Sequence, residues 1–340
     1  MKNCLSSQRF DGEYFVGCMV ALKWDLDWKK RQGYDIMRKT AKGGSQMILQ
    51  NDRLTVKINA LGGELHSIRG ADGTEYLWPG HPGYWMGQAL NLFPFVGRLQ
   101  GGAYLYRGKT YQLGTHGFVR HTVLSECKRS DVEGELFMED SAQTLAQYPF
   151  RFRYSICYRL EGAALHVVYR VENKDDDMLP FGIGGHPGFC VPMEKGLKFT
   201  DYRVRFPEAK DAKQVVLSDA CLIPGQTADY DLGQAQAVAL RHDLFDHDAI
   251  VLQNSGARAI LERKDGKGRF VELSYPDCPY LGIWHAVRTD APFVCLEPWA
   301  TLPGREGVTE DFETSPMVLR LDPGAVYENR LCIRIGEATA

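Results

Sequence analysis

Residues Phe150–Asn173 read FRFRYSICYRLEGAALHVVYRVEN. Two apolar-rich arms flank Glu161-Gly162, and in the second arm Leu165, Val167, Tyr169 and Val171 occupy every other position. Successive side chains of a strand point to opposite faces, so this period of two, broken by a glycine, predicts a long antiparallel hairpin. The same syntax recurs in both directions. Upstream, Leu54, Val56 and Ile58 alternate in RLTVKINA, Gly62-Gly63 interrupts, and ELHSIRG resumes before Ala71-Asp72-Gly73. AYLYRGKTYQL (103–113) reads as two short strands about Arg107-Gly108-Lys109. Downstream, strands are expected over 202–206, 249–253, 257–263, 269–275, 280–285, 292–297, 317–321 and 326–335. Only DSAQTLAQYP (140–149) suggests a helix, short and closed by Pro149.

Many short strands with close turn signals and almost no helix predict an all-β fold, a large antiparallel β-sandwich with few short helices. No Pro/Ser linker divides residues 46–340, which are expected to form a single domain. Residues 1–45 lack a sustained period and end in a Lys/Gly/Ser cluster, so they read as an N-terminal extension. A packed flap is the alternative, since Tyr14, Phe15, Trp24 and Trp28 are unusual in a disordered tail.

The 340 residues carry a net charge of −3 with the signs interspersed, which points away from nucleic-acid and anionic-membrane partners. A small neutral substrate suits that balance. The nine cysteines are scattered without a C-x-x-C pair, so neither a disulfide framework nor a thiolate zinc site is expected. No apolar run reaches the roughly 20 residues of a membrane span, and no signal peptide is read. A cytoplasmic monomer or homodimer is the expectation.

Four stretches depart from plain alternation. NLFPFVGRLQGGAY (91–104) carries Arg98, LGTHGFVR (113–120) carries His116 and Arg120, GIGGHPGF (182–189) carries His186, and VCLEPWATLPG (294–304) carries Glu297. Taken singly, each polar residue is an ordinary structural or solvated side chain. Taken together, each is flanked by Gly or Pro at an expected strand end beside an aromatic (Phe93, Phe95, Phe118, Phe189, Trp299). Sugars offer hydroxyls to polar groups and C–H faces to rings, so this combination suits a sugar site.

In their order and spacing these stretches resemble the aldose 1-epimerase (galactose mutarotase) family, most of all a subgroup similar to the lactose-operon X proteins. The resemblance covers roughly residues 47–335. It implies the galactose mutarotase-like supersandwich fold and interconversion of sugar anomers without metal or organic cofactor. It further implies His186 as general acid, Glu297 as general base, and Arg98 and His116 as substrate-binding residues. The family's binding aspartate falls in LFDHDAIVL on Asp246 or Asp248, with Asp248 preferred. Phe189, or Trp284 of YLGIWHAV, would supply a stacking face, though Trp284 also reads as core. Two departures bear on the pocket: Gly188 follows the His-Pro pair where relatives place an aromatic, which would leave one wall open, and Trp299 follows the Glu-Pro pair.

The chemistry fits these residue types. Anomer exchange needs a base at the C1 hydroxyl and an acid at the ring oxygen, and proton transfer of this kind contributes about 10²–10⁴-fold. A carboxylate can serve as base, and an imidazole with its pKa raised by that anion as acid. Other readings stay open: a hexose-6-phosphate epimerase, for which Arg120, Arg288 and Arg305 are candidate phosphate ligands; a non-catalytic carbohydrate-binding or sensing module; and, last, a glycoside hydrolase, which needs a second well-placed carboxylate.

Overall fold

The computed structural model describes residues 45–338; apart from Ser45, the segment read as an N-terminal extension lies outside them. The hairpin forms as its alternation requires. Strands Phe152–Glu161 and Ala164–Asn173 pair antiparallel along their full length, from Phe152 opposite Asn173 to Glu161 opposite Ala164. Phe152, Tyr154, Ile156, Tyr158 and Leu160 are buried on one face together with Leu165, Val167, Tyr169 and Val171. Burial of each such side chain is worth about 1.5–3 kcal/mol, which is what fixes the register.

Around this hairpin a nine-stranded antiparallel sheet assembles. The 13-residue strand Val326–Ala338 pairs with Ala164–Asn173 on one side and Gly268–Ser274 on the other. A second sheet has seven strands, in the spatial order Thr227–Asp229, Lys213–Val215, Ile250–Gln253, Tyr280–Trp284, Phe293–Trp299, Gly184–Cys190 and Ala89–Leu92. All its pairings are antiparallel. Smaller sheets, one of them Gln46–Gln50 with Leu54–Asn59 and Leu65–Gly70, complete the sandwich. The expected helix spans Ala142–Gln147, opened by a capping box in which the Thr144 N–H donates to Ser141 Oγ and the Ser141 N–H to Thr144 Oγ1.

Alternation splits the seven-stranded sheet into two faces. Phe189, Leu281, Ile283, Val294 and Leu296 pack into the main core with the nine-stranded sheet. The residues between them point the other way, where Leu90, Leu92, Val251 and Trp299 form one small apolar cluster and Trp78, Phe293 and Cys295 another. The candidate site lies on this second face.

Two sequence expectations change here. His186 and Glu297 do not stand at strand ends: the strands Gly184–Cys190 and Phe293–Trp299 run through them. The Gly and Pro residues that suggested termination sit inside central strands for reasons of space. The other correction concerns the flanking aromatics. Phe93, Phe95, Phe118 and Phe189 all belong to the main core, and only Trp299 of the five faces the site side. Phe189 is fully buried, three residues along an alternating strand from His186, so it offers no stacking face to a ligand.

Candidate active site

Strand register brings the two titratable residues together. Gly184 pairs with Trp299 and Gly188 with Cys295, which sets His186 across from Glu297 on the neighbouring strand. Pro187 and Pro298 have no N–H to give at this point, and the ladder is interrupted between the two glycine pairings. Glu297 Oε1 lies 3.3 Å from His186 Nε2. On its other side Glu297 pairs with Gly282. A Cβ at position 282 would stand 3.2 Å from the Glu297 Cβ, so glycine there leaves the carboxyl its room.

Gly188 is explained in the same way. A Cβ added to it would meet Trp85, Trp78 and Cys295 at 3.2–3.3 Å. The wall expected to be open is therefore closed, by the indole of Trp85 from the loop ahead of Ala89–Leu92. Trp85 stacks on His186 with ring centroids 4.8 Å apart and planes inclined by 25°, and Trp284 meets the same imidazole edge-on at 5.6 Å. The Trp78 indole N–H donates to the Trp85 carbonyl at 2.9 Å and fixes the loop. Trp284, half-buried and paired with Cys295, thus belongs to the site wall.

Burial dominates the electrostatics. Only 2 % of Glu297 and 7 % of His186 is exposed. Burial, and next the negative charge of Asp248, holds the Glu297 carboxyl well above the ordinary carboxylate range. Burial, and next the positive charge of Arg120, pushes His186 down to about 3. This overturns the expectation that the neighbouring anion raises the imidazole: desolvation disfavours both charged forms, so burial favours a carboxylic acid beside a neutral imidazole over the ion pair. That state holds as many protons as the ion pair and differs from it only in where one proton sits.

His116 comes from a separate loop and reaches the same imidazole edge-on, at 5.8 Å between centroids. The Gly97 N–H donates to its Nδ1 at 3.1 Å and the His116 N–H donates to the Gly97 carbonyl at 2.8 Å. Because Nδ1 accepts, the ring proton sits on Nε2, where it is a donor. Burial, then the charges of His186, Arg120 and Arg98, keeps His116 well below the ordinary imidazole value. Arg98 itself is exposed, with its guanidinium 3.5 Å from the Ala220 carbonyl. Asp248 accepts a bond from the Cys221 thiol and bears on Glu297, whereas Asp246 bears on His285, so of the two aspartates Asp248 stands at the site.

Among the described residues, His186, Cys295 and Glu297 offer ligand atoms within 4.8 Å of one another. Zn²⁺ takes Cys as thiolate and Glu as carboxylate, and burial here disfavours both of those charged forms. Arg305, a phosphate candidate in sequence, is committed to Glu310 through two 2.9 Å bonds. Arg120 is near His186, and among the described residues its buried Nε has no hydrogen-bond partner. Sequence reasoning did not place Trp85 or Cys221. The signal for Trp85 was a Tyr-Trp pair among Gly80, Gly83 and Gly87; Cys221 had none.

The family model for aldose 1-epimerase matches residues 45–334. The chain belongs to the aldose 1-epimerase family. Protein LacX of Lactococcus lactis subsp. lactis, in its plasmid form, is 32% identical over 284 residues, 81% of this chain and 94% of that protein. A galactose mutarotase related enzyme from Lactobacillus acidophilus superimposes with a TM-score of 0.82 at 28% identity, covering 87% of this chain and 98% of that one. A galactose mutarotase-like protein from Lactobacillus casei gives 0.81 at 28% identity, covering 86% and 100%. The fold is the galactose mutarotase-like sandwich, and this aldose 1-epimerase family member is an isomerase of carbohydrates. No helix among the described residues is long and apolar enough to cross a membrane.

Proposed function

We propose that this protein catalyses mutarotation of a free aldose, with His186 as general acid and Glu297 as general base, and Arg98, His116, Asp248 and Trp284 binding the sugar without a metal or organic cofactor. The observation that carries the reading is the 3.3 Å approach of Nε2 to Oε1 on the face of the sheet turned away from the main core, beside Trp85 and Trp284.

A sugar over this pair presents its C1 hydroxyl and ring oxygen to two groups that share one proton. In the productive form that proton is on Nε2, reached from the neutral pair by a single transfer that leaves the net charge unchanged. Arg98 offers its guanidinium N–H groups and His116 its Nε2–H to the hydroxyls of the bound sugar. Glu297 removes the C1 hydroxyl proton while His186 protonates the ring oxygen, the C1–O bond to that oxygen breaks, and the open aldehyde forms. Rotation about C1–C2 exposes the other carbonyl face. Ring closure with the roles reversed gives the other anomer and restores the pair.

The substrate is set by the remaining walls, since Arg98, His116 and Asp248 offer polar groups that read hydroxyls in general. Anomer exchange followed by polarimetry or NMR across glucose, galactose and their 6-phosphates tests the reading. Acceleration of a free aldose is expected. Acceleration of the phosphates alone would assign the role of Arg120 to phosphate instead, and sugar binding without acceleration would make this a binding module.

A further inference from the structure

The loop 218–223 carries no chemical motif, yet it reaches two of the proposed sugar-binding residues. The Cys221 N–H donates to the Ser218 carbonyl at 2.8 Å and the Ser218 N–H to the Leu222 carbonyl at 2.9 Å, closing a tight turn. The turn is anchored at its far end, where the Ile223 N–H donates to the Gly304 carbonyl and the Gly304 N–H to the Arg98 carbonyl, at 2.9 and 2.8 Å. The Arg98 guanidinium then reaches back to the Ala220 carbonyl at 3.5 Å.

At the tip, Cys221 donates its thiol proton to Asp248 Oδ2, with sulfur and oxygen 2.7 Å apart. Both residues hold positive φ, +58° at Cys221 and +84° at Asp248, which is uncommon for a cysteine and better tolerated by an aspartate. Among the described residues no other hydrogen bond orients the Asp248 carboxylate. Burial, and next Asp248, pushes the Cys221 thiol up to about 12, so the sulfur keeps its proton and stays a donor.

We propose that Cys221 is a positioning residue for sugar binding: its thiol aims the Asp248 carboxylate at the substrate, and the loop 218–223 keeps that carboxylate in register with Arg98. This rests on the mutarotase reading above.

The test compares Cys221→Ala and Cys221→Ser, each with and without Asp248→Asn. Steady-state mutarotation of the best aldose is one readout. The S–H stretching band, isolated in infrared difference spectra against Cys221→Ser, is the other. Cys221→Ala is expected to raise KM about three- to tenfold with kcat held within about twofold, the scale of one lost hydrogen bond. Cys221→Ser, which keeps a donor, restores KM. In the Asp248→Asn background Cys221→Ala adds little, and there the S–H band moves toward that of a free thiol. An unchanged KM in Cys221→Ala, equal impairment by Ala and Ser, or an S–H band indifferent to Asp248→Asn would each overturn the proposal. The mutarotase reading fails separately, through absence of wild-type anomer exchange. Positioning is then read from sugar affinity by calorimetry, with the same loss in Cys221→Ala and the same rescue by Ser.

Discussion

The indole of Trp85 lies on the imidazole of His186, centroids 4.8 Å apart, in the space that a side chain at Gly188 would need. A loop residue thus builds the wall that the strand lacks and covers the His186 side of the His186–Glu297 pair. Trp85→Ala is expected to lower kcat/KM by about ten- to a hundredfold, or about 1.4–2.7 kcal/mol, while Trp85→Phe keeps most of the activity. Polarimetric rates across a substrate series measure this; equal rates for wild type and the alanine variant would show that the stack is idle.

In the proposed mechanism, replacing either member of the pair removes one of the two proton transfers. His186→Gln and Glu297→Gln should each slow anomer exchange about 10²–10⁴-fold, and the double variant should be scarcely slower than the worse single one, because the two act as a unit. Circular dichroism of Glu297→Gln should be unchanged, since glutamine is isosteric with the protonated carboxyl that burial favours.

The pH profile follows from the direction of each shift. The working pair holds one proton. Below about 3 His186 takes up a second, and above the raised pKa of Glu297 the pair loses the one it has. A broad plateau is expected, with its alkaline limb well above the ordinary carboxylate value. An alkaline limb at an ordinary carboxylate pKa would show that Glu297 is ionised and solvated.

Stability carries the same signature. His186 is lowered from 6.5 to about 3, so the unfolded chain protonates first and the folded state loses stability as pH falls through that interval. Glu297, with its pKa raised, contributes stability that is full below 4.5 and is lost as pH rises through its folded value. Thermal melts of wild type and Glu297→Gln should therefore diverge in favour of the variant as pH rises, and His186→Gln should flatten the acid side.

Gly188→Ala forces a Cβ to within 3.2–3.3 Å of three side chains, two of them tryptophans. Loss of about 1–3 kcal/mol of stability is expected, with lower activity as Trp85 shifts. Gly114→Ala, where a Cβ meets nothing within 4 Å, is the control and should move stability by less than about 0.5 kcal/mol. Denaturant midpoints decide between them.

The sequence by itself determined the sandwich and most of its strands, because a period of two is local and a single buried face enforces it, as in Leu165, Val167, Tyr169 and Val171. It also marked His186 and Glu297, through motifs that lie 111 positions apart. Which face each residue shows depends on strand register, and register is a property of pairs of strands. Only the tertiary structure could therefore set His186 opposite Glu297, turn Phe189 into the core and place Trp85 over Gly188. The pKa directions followed from the same source. An anion next to an imidazole raises it in water, but here both are buried, and desolvation outweighs the attraction. Cys221 lay furthest from what sequence can tell, since its meaning comes from a loop contact with Asp248 across 27 positions of chain.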